Sequence, residues 1–137
     1  MRNGKVALVT GSSTGIGAAV AKQLARDGYD VAVHYNSSRE EGERVLAAVR
    51  EAGVNGCLLQ GNTAEIDVPD RLIAECVAQL GRLDVLVNNA GITRFEDLRE
   101  IKPETMDSLY NLDFRGMILC AKAAANYMVE NSIAGVI

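Results

Sequence analysis

The sequence predicts an α/β fold in which one domain is built as a doubly wound parallel sheet. Three observations predict it. Four short apolar runs lack a polar face, segments of helical periodicity fill the intervals between them, and a glycine turn follows the first run. A length of 137 residues suits one core and is too short for two domains of ordinary size.

The elements follow in order. Lys5 to Thr10 is an apolar run stopped by Gly11, which reads as a strand buried on both faces. Ile16, Val20 and Leu24 recur every four residues up to Gly28, predicting a helix with one core stripe and a glycine just past its end. Asp30 to Tyr35 repeats the strand pattern, and Asn36-Ser37-Ser38 supplies a loop and a cap for a second helix. That helix carries Val45, Ala48, Val49 and Ala52 on one face and ends at Gly53. Val54 to Gln60 predicts a third strand, and Val68, Leu72, Cys76 and Leu80 align along a third helix closed by Gly81. Leu83 to Val87 predicts the fourth strand. A long helical stretch covers about Pro103 to Glu130, with Leu109, Leu112, Leu119 and Ala123 apolar and Gly116 suited to close packing. Ala134 to Ile137 reads as the start of a fifth strand, so the sequence predicts a domain over 1–137 that is incomplete at its carboxyl end.

Composition narrows the function classes. A net charge of -4 gives no general electrostatic attraction to nucleic acid or anionic membranes, so neither is an expected partner. Cys57, Cys76 and Cys120 are odd in number, widely spaced and accompanied by a single histidine, His34. This pattern predicts neither a metal site nor a disulfide framework. Met1 to Gly4 leads directly into a strand without a signal-peptide pattern, and the expected compartment is the cytoplasm.

The turn Thr10-Gly11-Ser12-Ser13-Thr14-Gly15-Ile16-Gly17 stands where a parallel sheet aims backbone amides at a ligand. Glycines let the chain turn tightly and approach a pyrophosphate, and the helix N-terminus stabilises the anion through free N–H groups and its dipole. The hydroxyls of Ser12, Ser13 and Thr14 add hydrogen-bonding capacity. The turn has no P-loop lysine, and its spacing is G-x-x-x-G-x-G rather than the common G-x-G-x-x-G. An ordinary βα turn is the alternative for glycines taken alone.

With Asn88-Asn89-Ala90-Gly91 directly after the fourth strand, the chain resembles the short-chain dehydrogenase/reductase family over Lys5 to Ile137. The extension to Ile92-Thr93-Arg94 is similar to the family's 3-oxoacyl-carrier-protein reductase branch. This resemblance implies an NAD(P)-binding Rossmann fold and an oxidoreductase that reduces a carbonyl, with a 3-oxoacyl thioester first among substrates. It implies a nicotinamide dinucleotide across the strand ends, with Asn89, Ala90 and Gly91 beside its ribose and nicotinamide half and Asn88 bracing the sheet. Cofactor contacts are thereby expected at Gly11, Ser12, Ser13, Thr14, Gly15, Ile16 and Gly17, and at Asn62 and Thr63 beside the adenine, where the family usually begins with Asp. At the end of the second strand an acidic residue would bind the adenosine 2′-hydroxyl and repel a 2′-phosphate. Tyr35 stands there instead, followed by Asn36, Ser37, Ser38 and Arg39, which favours NADP, with NAD as the alternative.

The family's proton donor is a Tyr-x-x-x-Lys pair. Tyr29, Tyr35, Tyr110 and Tyr127 are followed four residues later by Val33, Arg39, Phe114 and Asn131, so none forms it. The family's catalytic asparagine falls at Asp113, which keeps acceptors and lacks the amide donor. The 137 residues alone are therefore expected to be inactive. A non-catalytic dinucleotide-binding module is the alternative to a reductase, and the resemblance implies a homo-oligomer, dimer or tetramer, for the full-length form.

Overall fold

The computed structural model describes residues 1–137, in which four strands form one parallel sheet. Strands β1 (Val6–Val9), β2 (Asp30–Tyr35), β3 (Gly56–Gln60) and β4 (Val85–Val87) stand in the order β3-β2-β1-β4. Helix α1 (Gly15–Arg26) joins β1 to β2, α2 (Arg39–Glu51) joins β2 to β3, and α3 (Val68–Leu80) carries the chain back to β4 on the other side of β1. The order of winding therefore reverses beside β1, and such a switch point opens a crevice at the carboxyl ends of the strands.

The two faces of the sheet are buried in separate apolar layers. Val6, Leu8, Ala32 and Leu59 pack with Leu72, Cys76, Ala124 and Met128 on the side of α3 and of a fifth helix, α5 (Met117–Glu130). Val9, Val31 and Val33 pack with Ala21, Val45 and Val49 on the side of α1 and α2. Every residue of β1 and β2 is buried, which is why neither strand alternates polar with apolar residues. All three cysteines lie in the core, where burial pushes the Cys57 and Cys120 thiols up to about 11.

Several details differ from the periodicity. Ile16 is 78% exposed, and the buried stripe of α1 consists of Gly17, Ala18, Ala21 and Ala25, with Val20 and Leu24 flanking it. Small side chains on that stripe let the helix lie close to the sheet, so the largest apolar residues do not mark its axis of contact. On α2, Leu46 is buried and Ala52 is exposed. Val54 and Leu83 are buried as expected, yet they precede the ladders, which begin at Gly56 and Val85. Ser38 stands at the head of α2 without a side-chain capping bond. Gly28, Gly53 and Gly81 stand just past the three helices, as the sequence predicts.

The amino ends of the strands are fixed by two buried carboxylates. Asp84 accepts from the Val6 amide at 2.8 Å and pairs with Arg82, while Asp30 accepts from the Asn55 amide at 2.8 Å and pairs with Arg2. Val136 begins a further parallel pairing on the outer edge of β4, through Val136 N–H to Asp84 O at 2.9 Å and Leu86 N–H to Val136 O at 3.0 Å.

The long helical stretch divides into α4 (Pro103–Leu109), a π-helical segment over Tyr110–Gly116, and α5. Wide turns of this kind mark places where a helix is re-aimed. No helix is long and apolar enough to cross a membrane. Gly116 ends the π segment against the loop after β3, and a Cβ there would stand 2.5 Å from the Thr63 carbonyl oxygen. Helix propensity favours alanine over glycine by about 1 kcal/mol, so a loss on Gly116→Ala isolates the clash. Chemical denaturation is expected to show Gly116→Ala destabilised by about 1–2 kcal/mol, through overpacking against backbone that cannot retreat.

Candidate functional site

The turn from Thr10 to Gly17 leaves β1 at the switch point and meets the loop after β4 face to face. Gly11 takes φ +62°, and a Cβ on it would lie 2.9 Å from the Cα of Ala90, so the position requires glycine twice over. Gly17 sits under the turn, where a Cβ would come 2.6 Å from the Gly11 carbonyl and strike the Asn89 side-chain amide. The spacing G-x-x-x-G-x-G is thus the pattern of a turn pressed against the β4 loop.

Thr10, 2% exposed, fastens these two loops. Its hydroxyl oxygen accepts from the backbone amides of Asn89 and Ala90, each at 3.0 Å, and the hydroxyl donates to Val87 O at 3.3 Å. Asn89 Nδ2 returns two bonds, to Thr10 O at 2.9 Å and Gly11 O at 3.0 Å. The bracing amide is therefore that of Asn89. Asn88, expected from the resemblance to brace the sheet, instead borders an apolar groove with Val85, Val87, Met117 and Val136.

On its other side the turn is held by β2. Ser12 Oγ accepts from the His34 amide at 2.9 Å, and the Ser12 amide donates to His34 O at 2.9 Å. The His34 ring is 2% exposed, with Nδ1 2.9 Å from the Gly11 amide and Nε2 2.9 Å from the Gly61 carbonyl. An amide can only donate and a carbonyl only accept, so the ring is neutral with its proton on Nε2. Burial holds its pKa below the ordinary histidine value; the bond to Gly61 opposes this and the charge of Arg71 adds to it.

A cleft of about 520 Å³ opens across the carboxyl ends of the four strands. From the turn it is lined by Gly11, Ser13, Thr14, Gly15 and Ile16; from the loop after β2 by Asn36 and Ser37; after β3 by Asn62 and Thr63; and after β4 by Asn89, Ala90 and Gly91. The other residues that the sequence places with a cofactor lie outside the lining. Ser12 and Gly17 are buried beneath the turn, Tyr35 packs against Gly42 of α2, and Arg39, exposed at the head of α2 directly after Ser38, pairs with Glu43 at 2.8 Å. The lining also includes His34, Ser38, Gly61, Ile92 and Leu112. A larger depression of about 890 Å³ lies between the outer faces of α1 and α2 and shares only Ser13, Thr14 and Gly15 with the cleft.

The chemistry of the cleft suits a polyanion. Thr14 makes no side-chain cap at the head of α1 and the first turn of that helix holds no acid, so its amides remain donors beside the positive end of the helix dipole. Not one Asp or Glu lines the cleft. A dinucleotide would be held by those amides and by the hydroxyls of Ser13, Thr14, Ser37 and Ser38.

Asp113 lies in the π segment, exposed, with Oδ1 accepting from the Ile92 amide at 2.8 Å. It thus ties the far end of the β4 loop to the long helix, a bond that asparagine would make equally through its side-chain carbonyl. Nearby, Arg115 Nη2 donates to Ala64 O at 2.7 Å and secures the loop after β3.

A parallel sheet with a switch-point cleft, an uncapped helix head and an acid-free lining defines an α/β domain of the Rossmann type. The chain belongs to the short-chain dehydrogenase family, whose pattern it matches over residues 5–137. It is 41% identical over all 137 residues to the 3-oxoacyl-(acyl-carrier-protein) reductase of Staphylococcus aureus, of which it covers 56%. Its fold matches a short chain dehydrogenase from Burkholderia cenocepacia in complex with NADP at a TM-score of 0.88 and 40% identity, over 90% of this chain and 51% of that one. A metagenomic short-chain oxidoreductase in complex with NADP matches at a TM-score of 0.90 and 31% identity, over 98% and 61% of the two chains. The chain therefore spans about half the length of the curated relatives it matches.

Thr10→Val is expected to destabilise the domain by about 2 kcal/mol, because two amides lose their acceptor, and to speed hydrogen exchange at Asn89 and Ala90; Thr10→Ser is expected to retain both effects of the native hydroxyl. At Asp113, the Asn variant is expected to keep native stability to within about 0.5 kcal/mol. The Ala variant is expected to lose about 1 kcal/mol and to deprotect the Ile92 amide.

Proposed function

We propose that this chain is the dinucleotide-binding portion of an NADP-dependent reductase that converts a carbonyl, in the first instance a 3-oxoacyl thioester, to an alcohol. The observation that carries the cofactor choice is the acid-free lining of the cleft at Asn36, Ser37 and Ser38, where a carboxylate would repel a 2′-phosphate. Both NADP-containing relatives support it, and the thioester rests on the reductase from Staphylococcus aureus. When bound, the nicotinamide supplies the hydride. The residues of this chain do the binding. The amides at the head of α1 receive the pyrophosphate, Asn62 and Thr63 border the adenine, and Asn89 to Gly91 border the nicotinamide half. Arg39, exposed on α2, exchanges its partner Glu43 for the 2′-phosphate. An alkoxide needs a proton donor as well, and no Tyr-x-x-x-Lys pair occurs in these 137 residues. On these residues alone the reading is binding without turnover.

Association of the full-length form is part of the same proposal. It is supported by Tyr110, Phe114, Met117 and Ile118, large apolar side chains left exposed along the π segment and α5.

Titration by cofactor fluorescence tests the central reading. NADPH is expected to bind roughly tenfold or more tightly than NADH, as a hydrogen-bonded charge pair to the 2′-phosphate implies, and Arg39→Ala is expected to weaken NADPH alone. Equal affinities, or a preference for NADH, would overturn the NADP assignment. Addition of acetoacetyl thioester is expected to leave NADPH unoxidised by the 137-residue chain.

A further inference from the structure

His34 is the one titratable side chain built into the wall of the cleft, and the function proposed above gives it no role. Its ring spans two segments that border a bound dinucleotide. Gly11 begins the phosphate turn, and Gly61 immediately precedes Asn62 and Thr63. Both ring nitrogens are committed to backbone groups, and the ring is 2% exposed, so no water replaces a lost partner.

We propose that His34 is a positioning residue that makes the dinucleotide affinity of this cleft pH-dependent: neutral, it holds Gly11 and Gly61 in the binding geometry, and on protonation it releases Gly11. The proposal rests on the dinucleotide-binding reading above. Its cause is geometric. A proton on Nδ1 would set an N–H donor against the Gly11 N–H, where the structure has a donor facing a lone pair. Gly11 cannot yield sideways, because Ala90 stands against it, so the strain falls on the turn itself.

The surroundings of the ring oppose its charging. Arg71 of α3 acts on it with like charge; that guanidinium also donates to Gln60 O at 3.1 Å and pairs with Glu75 at 2.9 Å. On β3, Cys57 lies across from Ala32 on the same face of the sheet, and burial keeps its thiol neutral by pushing it up to about 11. Among its own strand's neighbours, Tyr35 is turned to α2 and Asp30 lies at the opposite end, bound to Arg2. The glycine turn and the Asn89 loop present no ionisable side chain to it. A bound phosphate acts the other way, attracting an imidazolium, and the sign of the pH dependence decides between the two effects.

The sign follows from linkage. A histidine held neutral in the folded state and free to charge in the unfolded state contributes stability that is complete above the ordinary value of 6.5 and is lost as pH falls through that value toward the lowered folded one. In the folded chain the ring charges, and Gly11 and the binding geometry are released, only as pH approaches the lowered folded value.

The test measures the Kd for NADH, chosen because it lacks a 2′-phosphate that itself titrates near pH 6, from about pH 7.5 down to the lowest pH at which both the wild type and His34→Asn remain folded. Asparagine offers Gly11 an acceptor that does not titrate. The wild-type Kd is expected to stay level above about pH 6.5 and to rise by roughly threefold or more toward the acid end of this range, and the ratio of the two Kd values is expected to fall toward one in His34→Asn. Circular dichroism at each pH confirms that the folded chain is being titrated. Nitrogen NMR of the His34 ring supplies a second readout that needs no variant, with the Nε2–H tautomer expected at neutral pH. Tighter binding at low pH, a pH ratio shared by wild type and His34→Asn, or an Nδ1–H tautomer would overturn the proposal while leaving the dinucleotide reading intact. Failure of the wild type to bind either NADH or NADPH near pH 7.5 would remove both.

Discussion

The structure depends on how the turn after β1 is fastened. A glycine-rich segment has more freedom to lose on folding than any other, and left to itself it would not present its amides in one arrangement. Here it is clamped from two sides. Thr10 and Asn89 exchange hydrogen bonds with the loop after β4, and Ser12 and Gly11 are bound by His34 of β2. The His34 bonds to Ser12 and Gly61 are buried and the others part-buried, so a group lost leaves its partner with little or no access to water as a substitute. The glycines permit the conformation, and the hydrogen bonds select it.

The same constraint organises the more distant elements. The loop after β4 is tied at its near end by Thr10 and at its far end by Asp113, which reaches it from the π-helical segment. That segment also delivers Gly116 and Arg115 to the loop after β3, where the backbone of Thr63 and Ala64 rests on them. The long helix thus sets the borders of the cleft formed by the loops after β3 and β4. An aspartate at position 113 serves this architectural role as well as an asparagine, since the bond observed needs only an acceptor. The carboxylates Asp30 and Asp84 sit at the opposite ends of the strands and leave the cleft free of negative charge.

Much of this was legible in the sequence. The alternation of unbroken apolar runs with helical periodicity gave the parallel sheet because β1 and β2 are buried on both faces. Thr10 to Gly17 and Asn88 to Gly91 marked the cleft because short motifs there serve backbone geometry. Other features were hidden for physical reasons. The stripe of α1 is made of Gly17, Ala18, Ala21 and Ala25, and a search for large apolar residues passes over close approach by small ones. The π segment leaves no local signature, and its partners, reached by Asp113, Arg115 and Gly116, are loops far away in the chain. Asn88 and Asn89 are identical in type, and only the folded loop distinguishes Asn89 as the one whose amide bonds to the glycine turn. His34 reads as one polar residue in an apolar strand; its place at the carboxyl end of β2, beside that turn, was the available signal.

The central claim is that a dinucleotide lies along the carboxyl ends of the strands, held by the backbone of the fastened turn. Mapping amide chemical shifts while NADP is added tests it most directly. The account predicts that the perturbed amides form one continuous band through Gly11 to Gly17, Asn36 to Ser38, Asn62 and Thr63, and Asn89 to Ile92, at the edge where those loops meet. Perturbations centred on the depression between the outer faces of α1 and α2, with the Asn89 to Ile92 amides unmoved, would contradict it.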